Sequence, residues 1–273
     1  MTLIKQYLSP QQSHHPLFLF LFFYLLFILP LPLGSNRAWA WSIGQIFVYC
    51  LLLFYAGFNW HQAKKTINQN WFPIGIFVLV ICWVAFQYIA IPIEWLRLLS
   101  PNSAEAYLSY GLGSGSITVD KEATLNALLK LSGYLCVFLL GLCLINTPKR
   151  VQLSLLFMVF AGTFNAFYGV FEILSRQDVS YIYAMQNSPR ANGTFVYHNH
   201  FANFLLLCLS AGVGYFITTL THSKFSSKKA YWQSWVFSLL ETKTVVRLCL
   251  AIMVIALVMT HSKMSNIAFF QAS

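Results

Sequence analysis

Seven apolar runs follow one another along this chain, near 17–33, 39–58, 74–93, 124–145, 151–174, 200–220 and 245–261. Each approaches the length of about 20 residues that crosses a bilayer. Within hydrocarbon every backbone N–H and C=O must find its partner inside the segment, so such runs become helices. Only 9% of the 273 residues are charged, against about 25% in a soluble domain. The expected fold is an all-α, polytopic transmembrane helix bundle, one membrane domain over residues 1–273. After the seventh run, Ile267-Ala-Phe-Phe270 opens what reads as the start of an eighth span. A chain stopping one turn into a span reads as a truncated product of a longer core.

Charge sets the expected orientation. With the N-terminus cytoplasmic, the inner segments hold Lys5, Lys64, Lys65, Lys149, Arg150, Lys224, Lys228, Lys229, Lys243 and Arg247. The outer segments hold Arg37, Arg97, Lys121, Arg176, Arg190 and Lys263, and Lys130 falls inside the fourth span. This excess follows the positive-inside rule. The net charge of +10 is thereby a matter of topology, and no nucleic-acid partner is expected. Ala38-Trp-Ala40 resembles a signal-cleavage site, but a second span follows at once. This orientation puts 34–37, 94–123 and 175–199 on the outer face.

All six cysteines fall inside apolar runs and read as small packing residues. No CxxC or HExxH pattern occurs, so no metal site is expected. P-loop, GxGxxG and GxSxG patterns are likewise lacking, which argues against a nucleotide-driven pump or a soluble-type hydrolase. Asp120 in Thr-Val-Asp-Lys-Glu is a candidate N-cap for the fourth helix. Glu172, near the outer end of the fifth span, is expected to pair with Arg176 at i,i+4. Trp232, Trp235, Val236, Leu239 and Leu240 suit a short helix in the inner interface.

Arg190-Ala-Asn-Gly-Thr-Phe-Val-Tyr-His-Asn-His-Phe-Ala202 is polar and cationic, yet adjoins the sixth span. Polar clusters at a membrane span are costly unless they bind something polar. Arg is suited to bidentate contacts with phosphate oxygens. Gly193 fits a tight turn. On a helix His198 and His200 would point about 200° apart, which argues against a shared metal. One His could serve as a general base, or both could be interfacial residues with satisfied hydrogen bonds. Asn192-Gly-Thr194 is formally a glycosylation sequon, placed close to the membrane.

The pattern Arg-x-x-Gly-Thr-Phe-x-x-x-Asn-His-Phe-Ala at 190–202 resembles the signature of the bacterial O-antigen ligase superfamily. That group comprises O-antigen ligases, O-antigen polymerases and protein O-oligosaccharyltransferases. Leu31-Pro-Leu-Gly-Ser-Asn-Arg-Ala-Trp39 resembles the family's first outer turn, and Ser116-Ile-Thr-Val-Asp-Lys-Glu-Ala-Thr124 its lead into the fourth span. Ser262-Lys-Met-Ser-Asn266 is similar to a late Ser-Arg-x-Gly segment. The resemblance implies glycan transfer at the periplasmic face of a bacterial inner membrane, with no nucleotide, metal or other cofactor. An undecaprenyl-diphosphate-linked glycan would be the donor. A lipid A core, a protein or a growing glycan would be the acceptor.

By resemblance, Arg190, with Arg37 and Lys263, would contact the donor diphosphate, while Gly193, Thr194, Asn199 and His200 would shape the site. The chain departs from the pattern at Tyr197, where Asn is usual, at His198, often Arg, at Lys263 for Arg and at Ser265 for Gly. The family's catalytic histidine lies on a large periplasmic loop. None of His198, His200, His222 or His261 takes that role by motif, so the catalytic residue is unassigned. The alternative class is a non-enzymatic polytopic membrane protein, transporter-like or a gene remnant. It would line a path at the bilayer midplane with polar groups, whereas here they gather at one face.

Overall fold

The computed structural model describes residues 15–176, 179–183, 189–219, 242–263 and 267. The elements in chain order are α1 (His15–Ile28), α2 (Ala38–Phe58), α3 (Trp60–Gln69), α4 (Trp71–Tyr88), β1 (Ala90–Pro92), α5 (Ile93–Leu99) and α6 (Pro101–Ser109). There follow β2 (Ser114–Ser116), α7 (Lys121–Leu144), α8 (Pro148–Ser175), α9 (His198–Thr219) and α10 (Thr242–Met259). A short 3-10 turn, Leu33–Ser35, lies between α1 and α2. The described residues are thus mostly helix, with two short strands.

Among the described residues five helices are long and apolar enough to cross a membrane: Ala38–Phe58, Trp71–Tyr88, Lys121–Leu144, Pro148–Ser175 and His198–Thr218. That is the make-up of a multi-pass membrane protein. The first and last of the seven expected spans are shorter apolar helices among the described residues, Pro16–Ile28 and Thr244–Met259. The expected span 17–33 ends early because Pro30 and Pro32 follow α1. Proline lacks the N–H and disfavours helical geometry in the residue before it. The interfacial helix expected around Trp232 and Trp235, and most of the eighth apolar run, lie outside the described residues.

The contacts divide the chain into two compact units, one of residues 1–44 and 145–273, the other of 45–144. In the first unit α8, α9 and α10 pack on one another, and α1 packs on α8. Small residues allow the close crossings. A Cβ on Gly162 of α8 would lie 2.5 Å from the Cys208 Cβ of α9 and 2.6 Å from the Met253 sulfur of α10. Cys208 therefore serves as a packing residue, whereas Cys50 and Cys82 are exposed. Aromatic rings join α1 to α8, with Phe23 stacked on Phe157 at 5.2 Å and Phe27 on Phe160 at 5.5 Å. Phe201, Leu205, Met253, Ala256 and Leu257 form the buried centre.

In the second unit α4 and α3 pack on α7. The segment 94–123 is folded. β1 and β2 pair antiparallel, with Ile91 opposite Gly115, and α5 and α6 lie between them. Tyr107 ties this motif together: its hydroxyl is 2.9 Å from the Ser116 hydroxyl and donates to the Thr118 carbonyl at 3.1 Å. Asp120 does cap α7, its carboxylate accepting the Ala123 N–H at 2.9 Å, as its place before the apolar run requires.

Candidate functional site

Three segments of the first unit that are far apart in sequence meet beside α8. They are the turn 30–35, the polar segment 190–202 and the end of α10. The turn has three successive residues in the left-handed region, with φ of 54° at Leu33, 64° at Gly34 and 53° at Ser35. For residues other than glycine this costs about 1 kcal/mol or more each. The Ser35 hydroxyl donates to the Leu29 carbonyl at 2.5 Å, and the Gly34 N–H to the Pro30 carbonyl at 3.0 Å. A Cβ on Gly34 would lie 2.4 Å from the Phe195 ring, so the turn is seated directly on the polar segment.

Thr194 makes the deepest link. Its side chain is 1% exposed. Its Oγ1 lies 2.7 Å from the Pro30 carbonyl and 2.5 Å from Asn165 Oδ1. One hydroxyl proton is shared between two acceptors. Asn165 is itself fully buried at the middle of α8 and donates through Nδ2 to the Ala161 carbonyl at 2.9 Å. Gly193, at φ 55°, lets the backbone turn against α8. A Cβ on Gly169 of α8 would be 2.9 Å from the Gly193 nitrogen, so two glycines face each other there. Ala191 donates its N–H to the Met259 carbonyl at 3.0 Å, tying the segment to the end of α10.

Gly193 and Thr194 are thus buried supports. The surface of the segment belongs to Arg190, Tyr197, Asn199 and His200, all exposed. Arg190 Nη1 lies 3.0 Å from His198 Nε2. Guanidinium has no acceptor, so the imidazole nitrogen must accept. The His200 ring instead sits edge-on to Tyr197 at 5.8 Å. The two histidines therefore diverge, as their spacing on α9 dictates. Asn192 Oδ1 is buried with no hydrogen-bond partner among the described residues, and such orphans are rare in folded proteins. Among the described residues no cluster of metal-ligating groups occurs.

Arg37 follows the left-handed turn and is exposed, and Lys263 is exposed just after His261, which ends its helix at φ 51°. Arg37 follows by seven residues, and Lys263 by four, a backbone carbonyl that contacts the polar segment, that of Pro30 and of Met259 respectively.

The expected Glu172–Arg176 pair is absent among the described residues. Arg176 caps α8 in the left-handed conformation, φ 51°, which breaks the i,i+4 geometry. Glu172 accepts the Tyr168 hydroxyl at 2.6 Å and the Ser180 hydroxyl instead. This anchors the strand of chain carrying Tyr183, whose hydroxyl donates to the Leu31 carbonyl in the turn. Sequence reasoning missed Asn165, Tyr183 and Ser180. The mid-span polar Asn165 was the one visible signal.

Burial, and beyond it the Glu172 charge, raise the Tyr183 pKa above its ordinary value of about 10. A raised folded-state pKa means that stability is fully present below the unfolded value and lost as pH climbs through the folded one. The stability lost on Tyr183→Phe should accordingly stay constant up to about pH 10 and shrink above it. Detergent unfolding of both forms across that range checks this. A difference that declines well below pH 10 would contradict it. Comparison of the chain with protein-family models, curated proteins and solved structures finds no match.

Proposed function

We propose that this chain is an O-antigen ligase-like glycosyltransferase element that holds a glycan donor on undecaprenyl diphosphate at the periplasmic face of a bacterial inner membrane. In this reading all seven apolar runs cross, the N-terminus is cytoplasmic, and the segment 190–202 faces the periplasm. The observation that carries it is convergence. Two of the segments that resemble the family's outer-face elements, 31–39 and 190–202, meet where Gly34 packs on the Phe195 ring, and Ala191 of the second is bonded to Met259, shortly before the third begins at Ser262.

Arg190 would contact the diphosphate, with Arg37 and Lys263 adding positive charge. Cations there stabilise the leaving diphosphate as an acceptor hydroxyl attacks the sugar. The acceptor is a lipid A core, a protein or a growing glycan. The reading is tested with the full chain in nanodiscs, titrated with undecaprenyl diphosphate and, separately, with undecaprenol. Saturable binding that prefers the diphosphate by at least about tenfold is expected, since charge-assisted hydrogen bonds supply about 1.5–3 kcal/mol. Equal binding of the two would sink the proposal.

A further inference from the structure

The second unit carries a surface that the glycan-transfer reading does not use. Helix α3, Trp60–Gln69, lies between two membrane-crossing helices and is joined to each by a single residue. Asn59 ends α2, its N–H donating to the Tyr55 carbonyl at 2.9 Å. Asn70 ends α3, its side chain donating to the Thr66 carbonyl at 2.9 Å. With no loop at either end, α3 cannot lift away from the level where α2 ends and α4 begins. That level is the membrane interface.

The helix sorts its side chains by environment. Ala63 is buried, with Gln62 and Thr66 half-buried beside it, and this side meets α7. Trp60, Lys64 and Ile67 recur at i, i+4 and i+7 and form one exposed stripe. His61, Lys65 and Asn68 form the next, also exposed. Trp71 and Phe72, the first residues of α4, continue the exposed aromatic surface at 69% and 63%. Among the described residues the helix has no acidic side chain.

We infer that α3 is a docking surface for anionic phospholipid headgroups. Trp60 and Ile67 enter the boundary between acyl chains and headgroups, as amphipathic aromatic and aliphatic side chains do. Lys64 and Lys65 extend from the same helix on flexible stems, so their ammonium groups reach the phosphate level. The match is one of charge: exposed lysines beside exposed tryptophans at a fixed interfacial depth, without a neighbouring carboxylate on α3. A lysine near an anionic membrane surface contributes a preference of roughly fivefold.

The test places a photo-crosslinking amino acid at Asn68 in the full chain, reconstituted in vesicles of equal parts phosphatidylglycerol and phosphatidylcholine. Phosphatidylglycerol adducts should exceed phosphatidylcholine adducts severalfold. Lys64→Gln with Lys65→Gln should bring the ratio to about one, and Lys64→Arg with Lys65→Arg should keep the excess. A ratio near one in the parent, an excess surviving in the glutamine variant, or no lipid adducts at all would overturn the inference. Both lysines are exposed, and the arginine variant guards against loss of fold being read as loss of binding.

Discussion

Gly193→Ala should destabilise the protein by roughly 2–5 kcal/mol, the sum of a positive-φ penalty and an overpacking cost. The residue sits at φ 55°, and a Cβ there would lie 2.6 Å from the Phe201 ring. Phe201 is fully buried and cannot swing aside easily. Its ring packs at a tilt on Phe195, centroids 5.8 Å apart, and Phe195 packs likewise on Phe204 at 5.3 Å. The two contributions can be separated by shrinking the ring. In a Phe201→Leu background, Gly193→Ala should cost only the dihedral share, about 1–2 kcal/mol.

Gly169→Ala is the internal comparison. Its Cβ would meet the Gly193 backbone nitrogen at 2.9 Å, and backbone does not yield when Phe201 is trimmed. Its cost should survive in the same background. Unfolding by titration from mild detergent into dodecyl sulfate gives these differences. Strict additivity of Gly193→Ala and Phe201→Leu would show that the ring contact is not the cause.

The sequence made parts of this arrangement legible and hid others for physical reasons. Apolar length foretells the five described helices long and apolar enough to cross a membrane, because lipid leaves a backbone few options. The Asp120 cap is also visible, since it depends on neighbours three residues away. Glu172 and Arg176 had the right spacing for a pair, but only within a continuing helix. The left-handed cap at Arg176 removes that condition, and a non-glycine in that conformation leaves little local signal.

The joining of Thr194 to Pro30 bridges residues 164 positions apart. No periodicity reports such a contact. The little β1–β2 ladder escaped because its strands have three residues each. Helix α3 escaped because its buried side is polar or small, Gln62, Ala63 and Thr66, the reverse of the usual apolar stripe. Within the motif, the sequence marks the polar stretch as a whole. Only the fold divides it into buried supports, Gly193 and Thr194, and an exposed face led by Arg190.

That division sets the second large effect. Arg190→Ala should weaken undecaprenyl diphosphate binding by about 10- to 100-fold, the value of a charge-assisted hydrogen-bonded pair. The guanidinium is exposed and one of its nitrogens is engaged by His198 at 3.0 Å. That contact orients the group without neutralising it, because the imidazole brings no negative charge. Arg190→Lys keeps the charge and loses the planar fork, so its affinity should fall between the parent and the alanine variant. Exposure also predicts that the fold tolerates both changes, with unfolding midpoints close to the parent's. Thr194→Val supplies the contrast, altering stability through Asn165 and Pro30 rather than charge at the surface. Affinity for the diphosphate lipid that is unchanged in Arg190→Ala, in a variant of parental stability, would remove Arg190 from the donor site.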